Sequence, residues 1–319
     1  MKQCTNTVLM VRPARFGPNE QTAVNNYFQR ENTGVLPATV QVKAQQEFDA
    51  LVALLQVEGI GVIVLEDTPT PLKPDAVFPN NWISFHENGD VAMYPMFAEN
   101  RRLERREDVL QVLEDNNFVI EHIVDYAEAE EEGVFLEGTG SMVLDRVHRK
   151  AYAAVSPRTD EDLFIEFCED FEYTPVIFSA YQSSMNKKEL IYHTNVMLCI
   201  AETFAIVALE TIIDKKERKN VLKHLKSNAK EIVAITEKQM QHFAGNMLQL
   251  CGENETLYLV MSTSAYKVLT EAQLAVIEKH CTVIHADIST IEKYGGGSVR
   301  CMLAEVFFTK SELGSVVIC

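Results

Sequence analysis

The chain has 319 residues, of which 47% are hydrophobic and 24% charged, and its formal net charge is −17. This composition is typical of a globular protein and excludes a disordered, collagen-like or coiled-coil chain. The strong negative charge argues against binding to nucleic acid or to anionic membranes, since both attract basic surfaces. No apolar run reaches the roughly 18 residues that span a bilayer. We therefore expect a cytoplasmic protein without a signal peptide.

The cysteines and histidines do not have the spacing of a metal site or of a disulfide framework. The number of cysteines is odd and no C-x-x-C pair occurs, so a disulfide-rich scaffold and a zinc ribbon are both disfavoured. The histidines lack the H-x₃-H and H-E-x-x-H spacings. We expect a reducing compartment and no metal or cofactor. The cysteines are Cys4, Cys168, Cys199, Cys251, Cys281, Cys301 and Cys319.

In chain order, the same series of elements recurs: a helical pattern, an apolar strand, and a hairpin of two short strands. The first copy is predicted as a helix over 42–59, a strand over 60–66 and a hairpin over 82–96, with Asn88-Gly89 at its turn. The later copies are predicted as helix 102–117, strand 118–125 and hairpin 141–155; helix 159–172, strand 174–181 and hairpin 196–210; helix 216–230, strand 231–235 and hairpin 246–262; and helix 265–280, strand 281–287 and a last strand region over 299–308. The strand missing from the fifth hairpin can come from residues 7–13. The acidic run at 127–133 is predicted as a solvated loop.

The loops that enter the five hairpins are evenly spaced. They carry Asn81, Glu137, His193, Asn246 and Cys301, at steps of 56, 56, 53 and 55 residues. Such a period suggests five equivalent units around an axis, which would bring the loops to one mouth. An ordinary α/β chain with similar element lengths is the alternative. No linker separates the units, so we expect one domain.

These loops contain a thiol, an imidazole and a carboxylate. Cys301 follows the glycine-rich segment GGGSVR, His193 lies in YHTN, and Glu137 lies in FLEGTG. A base that draws the thiol toward thiolate, with an acid that orients the base, forms a nucleophilic enzyme site. Taken singly, Cys301 could be a buried small hydrophobic residue and FLEGTG an ordinary turn. Their equivalent positions in a repeat favour a catalytic site.

In order along the chain, PDAVFPNN, FLEGTG, YHTNV and GGGSVRC resemble the guanidino-group-modifying superfamily. This group includes arginine deiminases, dimethylarginine hydrolases, amidinotransferases and succinylarginine dihydrolases. The resemblance implies an α/β fold, the five-bladed αβ-propeller of the penteins, as a single catalytic domain over 1–319. It is strongest to the arginine deiminase-related branch that acts on citrulline. It matches Cys301 to the nucleophile, His193 to the general acid/base, Glu137 to the acid of the E-G motif and Asp75 to the substrate-binding aspartate.

Two positions depart from the superfamily pattern. Asn81 and Asn195 stand where many members that bind a cationic guanidinium have aspartates. A guanidinium offers only N–H donors and a positive charge, whereas a ureido oxygen needs a donor such as an amide. The two asparagines therefore favour citrulline or another ureido compound, unless they only cap strands or hold turns. The substrate α-carboxylate needs a cation, for which Arg12, Arg15 and Arg300 are the candidates.

By this resemblance, the expected reaction is the hydrolysis of citrulline to ornithine, ammonia and carbon dioxide through a covalent adduct on Cys301. The partner would be a small amino-acid substrate, and a homo-oligomer is possible on sequence grounds. Three alternatives stay open: an amidinotransferase, an arginine deiminase-type enzyme, and a propeller that binds a ligand without catalysis.

Overall fold

The structure is a computed structural model that describes residues 2–29, 36–184 and 187–308. Cys319, one of the seven cysteines, lies outside these ranges. Within them, no helix combines the length and the apolar character needed to cross a membrane.

Seventeen strands are present in the described ranges, and most are short. They are β1 (Thr7–Arg12), β2 (Gly61–Glu66), β3 (Ile83–Phe85), β4 (Asp90–Met93), β5 (His122–Asp125), β6 (Met142–Asp145), β7 (Lys150–Ala154), β8 (Thr174–Phe178), β9 (Tyr181–Ser184), β10 (Lys187–Leu190), β11 (Leu198–Ile200), β12 (Phe204–Val207), β13 (Glu231–Ala234), β14 (Leu248–Cys251), β15 (Leu257–Ser262), β16 (Thr282–Ala286) and β17 (Ala304–Glu305).

Helices connect the strands, and several are single turns. The α-helices of the described ranges are α1 (Glu20–Ala23), α2 (Pro37–Val57), α3 (Glu99–Arg102), α4 (Asp108–Asp115), α5 (Gly138–Ser141), α6 (Glu161–Asp170), α7 (Lys215–Ser227), α8 (Glu237–Met240), α9 (Thr263–Val268), α10 (Glu271–Ile277) and α11 (Ser289–Gly295). Short 3₁₀ turns lie at Pro79–Asn81, Ala127–Glu132, Thr194–Val196, Leu209–Thr211, Glu253–Glu255 and Val299–Met302.

Five three-stranded sheets share one topology. Each pairs two strands antiparallel and adds a third strand parallel to the middle one. A parallel neighbour requires a crossover connection, and one or two helices supply it in every unit. The sheets are β17-β1-β2, β3-β4-β5, β6-β7-β8, β11-β12-β13 and β14-β15-β16. The predicted fivefold repeat of helix, strand and hairpin is therefore confirmed at the level of topology.

The predicted closure of the fifth unit by the N-terminal strand is also confirmed. Val8 of β1 pairs antiparallel with Glu305 of β17, and β1 runs parallel to β2. Helix α2 covers this sheet with one apolar face, whose positions recur at helical spacing. The buried residues of that face are Val40, Ala44, Phe48, Leu51 and Leu55.

Two predicted helices are each divided in the structure. The region 265–280 contains α9 and α10, because Thr270 starts a new helix by accepting a hydrogen bond from the backbone N–H of Gln273. The region 102–117 contains only α4 and the end of α3. The loop between α3 and α4 is held by Arg105, which pairs with Glu130.

The acidic run at 127–133 is not merely a solvated loop. It forms the 3₁₀ turn Ala127–Glu132, and Glu130 accepts hydrogen bonds from the backbone N–H of Met96 and from Arg105. The prediction was wrong here because the sequence of a run of like charges does not indicate which arginine will pair with it. The hairpin β9-β10 and helix α11 were not predicted.

Candidate active site

Short helical turns precede the hairpins, and four of them carry the predicted site residues. Glu137 directly precedes α5, His193 directly precedes Thr194–Val196, and Asn81 and Cys301 lie within their own turns. These turns pack against one another. One cleft collects the polar side chains of Asp75, Asn81, Arg101, Arg158, His193 and Cys301.

The cleft is narrow and its polar groups are desolvated. Its volume is about 260 Å³, including the part that opens to solvent. Charges and hydrogen bonds in such a space interact more strongly than they would in water. The arrangement of donors and acceptors therefore restricts what the cleft can bind.

His193 is oriented by Glu137. The ring Nε2 lies 2.7 Å from Glu137 Oε2, and both side chains are buried. Because a carboxylate only accepts, Nε2 carries the proton and Nδ1 of the neutral ring is left as a base. The other carboxylate oxygen of Glu137 accepts from the backbone N–H of Phe97 at 3.0 Å. Glu137 thus holds the ring and its tautomer.

The charges around His193 keep the ring neutral near pH 7. Burial lowers its pKa most, and Arg158 lowers it further, whereas Glu137 counteracts both. For Glu137 itself, burial would raise the pKa, but Arg158 and the His193 ring outweigh burial and the net shift is downward. An ionised carboxylate beside a neutral imidazole is the state that a general base requires.

Two amide groups face the sulfur of Cys301. Asn195 Nδ2 lies 3.5 Å from Sγ, and Asn246 Nδ2 lies 3.4 Å from it. Asn195 was expected to address a substrate oxygen, and in the structure its amide lies beside the sulfur of Cys301. Its Oδ1 is buried without a hydrogen-bond partner among the described residues.

Asn81 presents a donor with a fixed orientation. Its Oδ1 accepts from Arg101 Nη1 at 2.9 Å, and since a guanidinium only donates, Nδ2 must point the other way. That Nδ2 is buried and has no hydrogen-bond partner in the part of the chain that the structure describes. The cleft therefore contains an amide donor that needs an acceptor.

Asp75 supplies an acceptor on another wall of the cleft. Its Oδ2 accepts from Asn19 Nδ2 at 2.8 Å and lies 3.9 Å from Arg101 Nε. Its Oδ1 is buried without a partner within residues 2–29, 36–184 and 187–308. Burial raises the pKa of Asp75, and the positive charge of Arg101 opposes that effect.

Two buried arginines that were not predicted provide the positive charge of the cleft. Arg101 donates to Glu104, to the carbonyl of Phe78 and to Asn81. Arg158 donates to Asn25, to the carbonyl of Thr22 and to Glu137. A guanidinium has five N–H donors, and the contacts within the described ranges use four of them. Each arginine therefore keeps one Nη1 proton that has no acceptor among the described residues. Together they can hold a carboxylate.

The arginines proposed from the sequence lie elsewhere. Arg300 donates to the carbonyl of Leu303 at 2.9 Å and to Glu305 at 3.0 Å, and it is not among the residues lining the cleft. Arg12 pairs with Asp49, and Arg15 is exposed. Arg300 precedes Cys301 in the sequence, but its side chain does not line the cleft, because consecutive side chains around this turn point in different directions.

Gly140, in the turn after Glu137, makes room for the side chains of Asn81 and His193. A Cβ at this position would lie 2.9 Å from His193 Nδ1 and would collide with Asn81 Nδ2. The two nitrogen atoms are therefore neighbours across Gly140. This glycine was visible in FLEGTG, but the sequence does not show which side chains it accommodates.

We expect Gly140→Ala to lower kcat/KM by about 100-fold or more, because displacing a catalytic group by about 1 Å can have this effect. The measurement is steady-state kinetics of ammonia release together with thermal denaturation. Gly17→Ala is the matched control, since a Cβ there meets no atom within 4 Å. Equal rates for the two variants would contradict the arrangement around Gly140.

Within the described residues, no group of three or more histidine, cysteine, aspartate or glutamate side chains is placed to hold a metal ion.

Solved structures of several guanidino-modifying enzymes share the fold. The apo form of ArgZ, an arginine dihydrolase of the ornithine–ammonia cycle in cyanobacteria, matches with a TM-score of 0.72 and 15% identity over 96% of this chain and 41% of that one. AgrE with ornithine and NAD⁺ matches with a TM-score of 0.68 and 17% identity over 96% and 39%. A dimethylarginine dimethylaminohydrolase with S-methyl-L-thiocitrulline matches with a TM-score of 0.61 and 15% identity over 94% and 98%. The chain thus spans less than half of the first two proteins.

The sequence comparison goes further than the likeness in fold. No match is found among curated proteins. The family model described as N,N dimethylarginine dimethylhydrolase, eukaryotic, matches residues 12–308, a stretch that contains every residue of the cleft. The chain therefore belongs to the N,N dimethylarginine dimethylhydrolase family, within the guanidino-group-modifying superfamily of enzymes.

Proposed function

We propose that this protein is a cysteine-dependent hydrolase of a ureido or guanidino amino acid, and that citrulline is its substrate. The products would be ornithine, ammonia and carbon dioxide. We also propose that residues 1–319 form one catalytic domain, with the five repeated units arranged as a five-bladed propeller around the cleft. The proposed setting is cytoplasmic, with a small-molecule partner.

The unpartnered amide donor of Asn81 carries the choice of substrate. A guanidinium carries only donors, so it leaves this buried N–H without an acceptor, whereas a ureido oxygen accepts it. An unsatisfied buried donor costs about 1–3 kcal/mol. This cost favours a substrate with an oxygen on the reacting carbon.

In the proposed first step, neutral His193 takes the proton of the Cys301 thiol as the sulfur attacks the ureido carbon. The C=O electron pair moves to the oxygen, which Asn81 Nδ2 can stabilise as it gains charge. When the oxygen re-forms its double bond, the terminal nitrogen leaves with the proton from His193 as ammonia. The product is a thiocarbamate between Cys301 and the δ-nitrogen of ornithine.

In the second step, His193 takes a proton from water, and the resulting oxygen attacks the thiocarbamate carbon. The C–S bond breaks, the sulfur recovers a proton, and ornithine N-carboxylate is released. This carbamate decomposes to ornithine and carbon dioxide. One water is consumed in total, so the atoms balance.

The remaining polar groups can hold the ends of the substrate. The single Nη1 protons left on Arg101 and Arg158 suit the α-carboxylate, a role for which the sequence analysis had offered Arg12, Arg15 and Arg300. The unpartnered Oδ1 of Asp75 suits a substrate N–H. Glu137 has its acceptors occupied by His193, Arg158 and Phe97, which supports a role in positioning the base rather than in contacting substrate.

Arginine is the second candidate substrate. The unpartnered carboxylate oxygen of Asp75 is an acceptor that also suits a guanidinium N–H. The relative ArgZ is described as an arginine dihydrolase. Such a reaction would pass through a ureido compound, for which the Asn81 donor would again be needed.

The deciding experiment is incubation of the purified protein with citrulline, arginine, agmatine, dimethylarginine and succinylarginine, followed by assay of ammonia and product amines. We expect ornithine and ammonia from citrulline. Ornithine and two equivalents of ammonia from arginine would support the second candidate. Product formation only with an added amine acceptor would indicate an amidinotransferase, and no turnover of any compound would indicate a ligand-binding protein.

We expect the acid side of the pH profile to lie below the ordinary histidine range. His193 must be neutral to accept the thiol proton, and burial together with Arg158 lowers its pKa below 6.5. Activity should therefore persist at pH 6 and fall only as the pH approaches the lowered pKa. The measurement is kcat/KM between pH 4.5 and 8, over the range in which circular dichroism shows the fold intact. A midpoint at or above 6.5 would contradict a neutral resting His193.

A further inference from the structure

Asn246 contacts two of the turns that form the cleft, Thr194–Val196 and Val299–Met302, yet its chemistry gave no reason to single it out in the sequence. It directly precedes the hairpin of the fourth unit and is fully buried. Its Nδ2 lies 3.1 Å from the carbonyl oxygen of Asn195 and 3.4 Å from Cys301 Sγ. Its Oδ1 accepts from the backbone N–H of Arg300 at 3.1 Å, and Cys301 Sγ lies 3.8 Å from the same oxygen, to which the protonated thiol can donate.

These contacts determine which way the amide faces. A backbone N–H can only donate and a carbonyl can only accept, so Oδ1 must face Arg300 and Nδ2 must face Asn195. Nδ2 has two protons, and the one not given to the Asn195 carbonyl is directed to the sulfur. The opposite orientation would break two buried hydrogen bonds.

A hydrogen bond from an amide favours the thiolate over the thiol, because it stabilises the charged form. The other described donor to the sulfur is the amide of Asn195, at 3.5 Å. The imidazole of His193 is bound through Nε2 to Glu137, and the guanidinium of Arg300 is bound to Glu305. Among the described residues, the hydrogen-bond donors in contact with the sulfur are therefore the two amides, while Arg101 and Arg158 line the same cleft.

We propose that Asn246 is a positioning residue that stabilises the Cys301 thiolate through its Nδ2–H and holds the nucleophile turn through its Oδ1. The inference rests on the proposed role of Cys301 as nucleophile, and it adds a residue of the fourth unit to the site. A structural role alone would stabilise the fold without changing the ionisation of the sulfur.

The test is the rate at which iodoacetamide alkylates Cys301 as a function of pH, followed by mass spectrometry of the peptide that contains it. Asn246→Asp keeps the acceptor for Arg300 but replaces the donor at the sulfur with a negative charge. We expect its alkylation at pH 7 to be at least tenfold slower, with the pH of half-maximal rate about one unit higher. Asn246→Ala should shift the same way by a smaller amount and serves if the aspartate variant does not fold.

The matched control is Gln249→Glu. Gln249 is a buried amide three residues along the same hairpin, and its Oε1 accepts from another thiol, Cys4, at 3.1 Å. The substitution keeps that acceptor and should leave the alkylation of Cys301 unchanged. The other titratable groups facing Cys301 are Asp75, Arg101, Arg158, Tyr192 and His193, and they are the same in every variant.

The outcomes separate this inference from the proposed function. Wild-type alkylation profiles in folded Asn246 variants would overturn the inference, whether or not citrulline is hydrolysed. Altered profiles in a protein that turns over none of the candidate substrates would sustain the inference and overturn the proposed function. A lowered melting temperature with an unchanged profile would assign Asn246 to the fold alone.

Discussion

Cys301→Ser should lower the turnover of citrulline by about three to six orders of magnitude, because removing one member of a catalytic unit can cost nearly as much as removing all of it. A serine hydroxyl is far harder to deprotonate than a thiol, and the neutral ring of His193 is a weak base for it. The measurement is ammonia release at saturating substrate, with mass spectrometry to detect the covalent adduct in the wild type. No adduct should form on the serine variant.

His193→Ala should have an effect of similar size, and combining it with Cys301→Ser should add little. Cys199→Ser is the control, since Cys199 is buried in β11 and burial raises the pKa of its thiol to about 12. Its rate should stay close to that of the wild type. Near-normal activity in Cys301→Ser would show that the covalent mechanism is wrong.

The repeat could be predicted because its signals are local. Strand alternation, helical spacing and the Asn88-Gly89 turn each depend on neighbouring residues, so each unit could be predicted from its own sequence. The even steps between Asn81, Glu137, His193, Asn246 and Cys301 then predicted that distant loops would meet, and the packed turns agree with that expectation for the cleft residues.

The cations of the cleft could not be predicted, because their signal is not local. Arg101 lies at the end of α3 and Arg158 lies in a turn before α6, and neither falls in a motif or at a repeat position. What ties them to the cleft is hydrogen bonding to residues distant in sequence, from Arg101 to Asn81 and from Arg158 to Glu137. Arg300, one of the three arginines proposed from the sequence, is next to Cys301 in the chain, but closeness in sequence says little about the direction of a side chain around a turn.

The amide orientations show most clearly what the structure adds. From sequence, Asn81 and Asn195 were equivalent candidates for contacting a ureido oxygen. In the structure, Arg101 fixes Asn81 with its donor unpartnered among the described residues, while the amide of Asn195 faces Cys301. Asn81 is therefore the main candidate for selecting a ureido group, and the amides of Asn195 and Asn246 both lie against the sulfur of Cys301.

Asn81→Asp should therefore invert the preference of the cleft. The carboxylate can still accept from Arg101, but its second oxygen replaces a donor with a negative charge at the place proposed for the substrate oxygen. Repulsion of that oxygen and loss of its hydrogen bond should cost about 1–3 kcal/mol, or roughly 10- to 100-fold in kcat/KM for citrulline. A guanidinium would gain an acceptor, so the relative rate with arginine should rise. The double variant Asn81→Asp/Asn195→Asp should turn over both citrulline and arginine more slowly, because a negative charge would then face the sulfur of Cys301.

The control for this change is the neighbouring residue, Asn80. It is also buried, but its Nδ2 donates to Thr139 at 3.3 Å and it does not line the cleft. Asn80→Asp introduces the same charge one residue away and should leave the ratio of kcat/KM between citrulline and arginine unchanged, even if it lowers the melting temperature. Steady-state kinetics on both substrates with all three proteins decides the matter. If Asn81→Asp leaves that ratio at its wild-type value, the amide serves the turn and Arg101 rather than the substrate, and the preference for a ureido group must come from another part of the cleft.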